Sequence, residues 1–162
     1  MNRRGSVLSL VLVAVLFAGI DVTRSSAQIS ADTAASQSMR FIALSESGKI
    51  LQDLQVGDSR AIIAKCAPQL DYDDKGKISR RALRSEIEKY FARWTNRHYT
   101  DVETTLIEYN FDAGIYCVQV DFDWSVSHLK SSRSGRSRIE LVWSGTTNDN
   151  LSVIIWKEHR LQ

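Results

Sequence analysis

Two periods of apolar residues divide the chain. From Ser79 onward Leu83, Ile87, Tyr90, Phe91 and Trp94 form one stripe, with Arg80, Arg84, Glu88 and Lys89 on the other side. Side chains three or four apart share a helical face, so this pattern predicts an amphipathic helix that Ser79 caps. Upstream, apolar residues at 41, 44, 51 and 54 fit a helix over 39–54, and Ser45-Glu46-Ser47-Gly48 predicts a break in it. Asp58 predicts the N-cap of a second, short helix with Ile62, Ile63 and Cys66 on its apolar side, stopped by Pro68.

After Asn96 the period falls to two. Residues 99–109 are rich in Thr, Val, Ile and Tyr. From 115 to 127, Tyr116, Val118, Val120, Phe122, Trp124 and Val126 alternate with Cys117, Gln119, Asp121, Asp123 and Ser125, the mark of a strand with one buried face. Residues 110–114 read as a turn, 128–135 as a polar loop and 145–150 as a turn. Residues 136–144 alternate again, with Ile139, Leu141 and Trp143 inside. In the last strand, 151–159, Val153 and Ile155 share one parity and Ile154 and Trp156 the other, which predicts a covered or dimeric edge. The hairpin of adjacent strands sets Asp121 and Asp123 opposite Arg136 and Arg138, as ion pairs rather than a catalytic carboxylate pair. Helices followed by four consecutive strands define an α+β domain, N-terminal helices packed on one face of an antiparallel sheet.

The ends set the compartment. Asn2-Arg3-Arg4, an apolar run from Val7 to Ile20 and the small residues Ser25-Ser26-Ala27 make residues 1–27 a cleavable export signal. The run is short of the roughly 20 residues a membrane span needs, so a periplasmic or secreted protein with no membrane attachment is expected after cleavage. Residues 28–37, rich in Ser, Ala and Thr, read as a flexible leader, and 38–162 as the domain. The chain has 21 Lys and Arg against 19 Asp and Glu; losing Arg3, Arg4, Arg24 and Asp21 leaves 18 of each. A neutral domain offers nucleic acid no basic face. Cys66 and Cys117 have no zinc spacing. An oxidising compartment favours pairing them, whereas their placement on helix side and outer strand face opposes it.

The stretch "DYDDKGKIS", Asp71 to Ser79, has the opening spacing of a calcium loop, with acids at the first and third places and glycine at the sixth. The fifth place is Lys75 and the twelfth is Ala82, where oxygen ligands are required, so no metal site is assigned. A short strand at Asp71 and Tyr72, a turn at Lys75-Gly76 and a cap at Ser79 account for the stretch.

The segment "CAPQLDYDDKGKISRRALRSEIEKYFARWTNRHY", Cys66 to Tyr99, resembles the front half of bacterial exported members of the nuclear transport factor 2-like, or SnoaL-like, superfamily. The shared features are Asp71-Tyr72, Asp74-Lys75-Gly76 and Tyr90-Phe91-Ala92-Arg93-Trp94; Thr95 stands where related sequences often have proline. The likeness holds at motif level over 71–97 and in layout over 36–162. It implies a strongly curved sheet around the long helix, a cone-shaped α+β barrel with a pocket at its wide end. The superfamily hosts isomerases, dehydratases, transport factors and assembly proteins. No position here matches the pocket Asp or His–Asp pair of its enzymes, so neither a catalytic residue nor a cofactor is assigned.

Candidate pocket residues are the aromatics Tyr72, Tyr90, Trp94, Tyr99, Tyr116 and Trp124, together with Arg93 and His98. Arg93 is expected to pair with Asp71 or Asp73, or else to meet an anionic ligand. Plain core packing competes for Tyr90 and Trp124. Aromatic walls with few polar groups suit a small apolar or amphipathic molecule, so a ligand-binding module without catalysis is the leading expectation. Two others stand beside it: an envelope interaction protein dimerising through its sheet, and an acid–base enzyme, which needs a titratable group in the cavity.

Overall fold

A computed structural model describes residues 26–161; the export segment read at 1–27 lies almost wholly outside them. Three helices and six strands follow one another: α1 (Ser26–Val56), α2 (Ser59–Ala64), β1 (Cys66–Tyr72), β2 (Lys77–Ser79), α3 (Arg80–Arg93), β3 (Asn96–Asn110), β4 (Ile115–His128), β5 (Ser131–Ser144) and β6 (Ser152–Leu161). The sheet runs in the order β2-β1-β6-β5-β4-β3. All neighbours are antiparallel except β1 and β6, which are parallel. The α+β class is as expected, but the sheet is mixed and stays open between its edges β2 and β3 rather than closing into a barrel.

Helix α1 runs unbroken through Gly48, against the break expected there. Its buried residues Met39, Ala43, Ile50, Leu51 and Leu54 lie on the sheet, and Ser47 is buried among them. The Ser47 hydroxyl donates to the Ala43 carbonyl at 2.7 Å and accepts from Trp143 Nε1 at 2.8 Å. A polar residue in the apolar stripe is therefore satisfied inside the core rather than marking a break. The helix also includes 28–37, read above as a leader.

Asp58 caps α2 by accepting from the Ala61 amide at 2.9 Å. The helix ends at Ala64, not at Pro68, and Cys66 opens β1. Pro68 falls inside the register shift between β1 and β6, where its missing N–H costs no ladder bond. The Asp71–Ser79 stretch is a strand end, a turn and the short strand β2, with Gly76 at a φ of +67° closing the turn. Ser79 caps α3 through the Ala82 amide at 3.3 Å.

The β4–β5 hairpin has the predicted register, with Asp121 opposite Arg138 and Asp123 opposite Arg136. Arg138 grips Asp121 with two hydrogen bonds of 2.7 and 2.9 Å, which hold that carboxyl below its usual range. No loop spans 128–135; only Leu129 and Lys130 join the strands, and β5 starts at Ser131. In β6 the register against β5 shifts between Val142 and Trp143, leaving Ile154 as an extra residue. The bulge turns Val153 and Trp156, of opposite parity, to the same buried side, so the last strand does not bury two apolar faces.

Cys66 and Cys117 are both free thiols. Tyr116 and Val118 point into the core, so Cys117 between them faces outward while Cys66 is buried beneath α2. A disulfide would have to cross the sheet.

Candidate ligand cavity

The helices cover only part of the concave face of the sheet. Where α3 ends, a cavity of about 540 Å³ opens between its C-terminal turn, β1 and the far halves of β3 to β6. Its closed end is apolar, formed by Leu54, Ile87, Phe122 and Ile139. Aromatic rings form the middle: Tyr72 against Trp156, edge to face at 6.0 Å, and Tyr99 against Phe122 at 5.6 Å. The mouth is polar, with Arg93, His128, Arg133, Glu158 and Arg160 on its rim.

Small residues on β5 create the space. Inward positions on β5 facing the cavity are Gly135 and Ser137, opposite Trp124 and Phe122 on β4. A Cβ on Gly135 would come within 3.0 Å of the Trp124 ring, so the glycine leaves room for the indole. Its Nε1 donates to the buried Ser137 hydroxyl at 2.9 Å, which fixes Trp124 as a wall.

Of the candidates from the sequence, Tyr72, Tyr90, Arg93, Trp94, Tyr99 and Trp124 line this cavity. Tyr116 and His98 do not. Tyr116 is wholly buried in the core, opposite Trp143 on β5. His98 follows strand parity: Tyr99 faces in, so His98 faces out, into a second cleft with Ser125, Ser127 and Ser132 that shares only Val126 and Arg133 with the cavity. Arg93 makes no ion pair with Asp71 or Asp73; Lys157 takes that place, 3.1 Å from Asp71 Oδ1 and 2.7 Å from the Asp73 carbonyl. The residues not foreseen are His128, Ser131, Arg133, Trp156, Glu158 and Arg160. The signal was present as parity. Arg133 continues the inward series of Ile139, Ser137 and Gly135, and Glu158 and Arg160 continue that of Trp156, but polar residues on that parity read as loop or terminus.

The electrostatics inside are those of partly dehydrated groups. Burial pushes the Tyr72 hydroxyl up to about 12, helped by the negative charge of Glu158. Tyr90 and Tyr99 share a hydrogen bond of 2.9 Å between hydroxyls, and burial raises both. Glu158 is reached by water through the mouth yet ringed by protein, and desolvation, with Asp73 nearby, raises its carboxyl. Glu86, also on the wall, is held by Lys75 and by Lys89, which lower its carboxyl to about 2. Three phenols and two carboxyls, Glu86 and Glu158, thus share a cavity with no metal-ligating cluster among the described residues.

Comparison with known proteins adds the fold. No protein-family model and no curated protein matches the sequence. Solved structures do. A nuclear transport factor 2 (NTF2-like) superfamily protein from Salmonella enterica serovar Typhimurium superposes with a TM-score of 0.65 at 9% identity, over 78% of this chain and 94% of that one. A ketosteroid isomerase-like protein from Erwinia carotovora gives 0.60 at 9% identity, over 75% and 96%. ActVI-ORFA from Streptomyces coelicolor gives 0.58 at 15%, over 73% and 94%. The fold is that of the nuclear transport factor 2-like superfamily, as the Cys66–Tyr99 resemblance implied.

Proposed function

We propose that this domain binds a small, largely apolar molecule, and that binding rather than catalysis is its main task. The observation that carries this reading is the open cavity of about 540 Å³ with an apolar end and aromatic walls. That volume suits a ligand of two or three fused rings. A filled interior would have favoured a purely structural partner protein; the open cavity argues otherwise. The neutral fluorophore N-phenyl-1-naphthylamine tests it. Saturable, one-to-one enhancement of its fluorescence, competed by naphthalene-sized molecules, is expected, and the absence of saturable binding rejects the reading. Residues 1–27 make the same protein periplasmic or secreted; mass measurement of the exported form checks this by loss of that segment.

One observation favours a second reading, the acid–base enzyme. The cavity does hold a titratable group of the kind such an enzyme needs, Glu158, among three phenols. In that role the Glu158 carboxylate would take a proton from carbon beside a ketone, and a tyrosine hydroxyl would donate a hydrogen bond to the enolate oxygen formed. Incubation of 2-tetralone in deuterated buffer reads this directly. Deuterium uptake accelerated by the wild type and abolished in Glu158→Gln, with fluorophore binding retained, supports it; equal uptake with and without protein removes it.

A further inference from the structure

The mouth of the cavity is more selective than its walls. Arg93 ends α3, Arg133 sits on the inward face of β5 opposite Val126, and Arg160 lies on β6 opposite Ser137. All three line the same opening. Among the described residues none of the three has a carboxylate within ion-pair distance, and Glu86 on the same wall is taken by Lys75 and Lys89. Arg133 is placed rather than loose: its guanidinium stands 5.7 Å from the centre of the Trp94 ring, at the exit from α3. Against three guanidinium groups and His128 the lining sets two carboxyls, Glu86, which Lys75 and Lys89 neutralise, and Glu158. An excess of unpaired guanidinium at the end of an apolar channel is a recognition pattern for an oxoanion attached to an apolar body.

We infer that the ligand is an amphipathic anion: a ring system buried against Trp124, Phe122 and Trp156, with a carboxylate or similar oxoanion head at the mouth between Arg93, Arg133 and Arg160. The inference rests on the reading of the cavity as a ligand site and names the chemistry of its occupant. The body enters first, because the closed end offers no cation to receive a charge. The head stays at the rim, where the arginines are solvated enough to need no burial of unpaired charge. Three guanidinium groups from three separate elements can meet one planar head from different sides, which a neutral amide of equal shape cannot exploit.

A matched pair of competitors tests this. 2-Naphthoate and 2-naphthamide have the same size and shape and differ by the charge of the head. Each displaces N-phenyl-1-naphthylamine from the wild-type protein near neutral pH. We expect 2-naphthoate to compete at a concentration at least about tenfold lower, the scale of charge-assisted against neutral hydrogen bonds. In the triple variant Arg93→Gln, Arg133→Gln, Arg160→Gln that preference falls to near unity, while 2-naphthamide and the neutral fluorophore still bind saturably. Retained fluorophore binding shows that the variant is folded and its cavity intact. Equal competition by the two ligands in the wild type overturns the inference, as does a preference that survives the triple substitution. Failure of the fluorophore to bind the wild type is a different result: it removes the ligand site itself, and the anion head with it.

Discussion

Ser47 shows how a single polar side chain can reverse a reading of sequence. Within Ser45-Glu46-Ser47-Gly48 it looks like an interruption, yet its hydroxyl ties the Ala43 carbonyl of α1 to the indole of Trp143 on β5. Removing it leaves a buried indole N–H without a partner, and such a group costs about 1–3 kcal/mol. Ser47→Ala is therefore expected to lower unfolding stability by about that much in urea titration, with no change in ligand affinity, since Ser47 is remote from the cavity lining. A loss below about 0.5 kcal/mol would mean the bond contributes nothing net. The same residue explains a limit of sequence reading. Apolar periodicity locates faces, but it cannot say that a serine within a face is paired by a tryptophan nearly a hundred positions away. His98 and Tyr116 were misplaced for a simpler reason: aromatic or imidazole character suggests a pocket, and only strand parity and the extent of helix cover decide who reaches it.

Between elements, the junction of α1, α3 and β3 is held by one arginine. Arg97 Nε donates to the Leu54 carbonyl at 2.8 Å, Nη2 to the Gln55 carbonyl at 3.3 Å and Nη1 to the Trp94 carbonyl. Its guanidinium also stacks 4.5 Å from the Phe91 ring centre. It satisfies the last carbonyls of α1, where a helix end otherwise needs water or a cap. Arg97→Ala should cost about 2–3 kcal/mol, because charge-assisted bonds to partly buried carbonyls are lost together. Arg97→Lys should recover little, having one ammonium for three divergent acceptors. Thermal unfolding of both variants checks the order; equal stability of Lys and wild type would refute the fork geometry. The hairpin tip beside the cavity mouth carries the opposite kind of residue. Leu129 is fully exposed and holds a φ of +52°, a left-handed conformation that a leucine adopts at a cost of about 1 kcal/mol or more. Leu129→Gly is expected to raise the urea midpoint, and a fall would show that the extra freedom glycine gives the unfolded chain outweighs the strain relieved. The elements themselves were largely legible. The long helix, its Ser79 cap and the β4–β5 register follow from period and capping chemistry, whereas the bulge at Ile154 and the inward run from Ser137 back to Arg133 do not. A bulge shifts parity without a sequence mark, and a strand that turns from core to cavity loses its apolar alternation just where function begins.

At the scale of the whole molecule, the cavity separates an apolar floor from a charged rim, and pH acts on the rim. Glu158 is the acid there, facing Tyr72, Tyr90 and Tyr99 from β1, α3 and β3, with Arg160 on its own strand, Asp73 from the turn after β1, and Arg93, Arg133 and His128 around the mouth. Its carboxyl is raised by desolvation, so the folded protein takes up this proton at a higher pH than the unfolded chain does. The sign for stability follows: the desolvated charge is absent at low pH, and its destabilising effect sets in as pH rises above the ordinary carboxylate range through the raised value. Asp121 has the opposite sign. Its carboxyl is lowered by Arg138, and the stability it contributes is lost as pH falls through that lowered value. For an anionic ligand the rim predicts a matching trend. Naphthalene-2-sulfonate keeps its charge across the accessible range, so any change in its affinity belongs to the protein. Its binding should tighten as pH falls through the raised Glu158 value, because protonation removes the negative charge beside the arginines, while Glu86 stays neutralised by Lys75 and Lys89. Glu158→Gln isolates this effect. The variant should bind the sulfonate several-fold more tightly than wild type at high pH, and the two curves should converge at low pH. A ratio of affinities that stays constant with pH would place the head group away from Glu158 and against the arrangement of charges at the mouth.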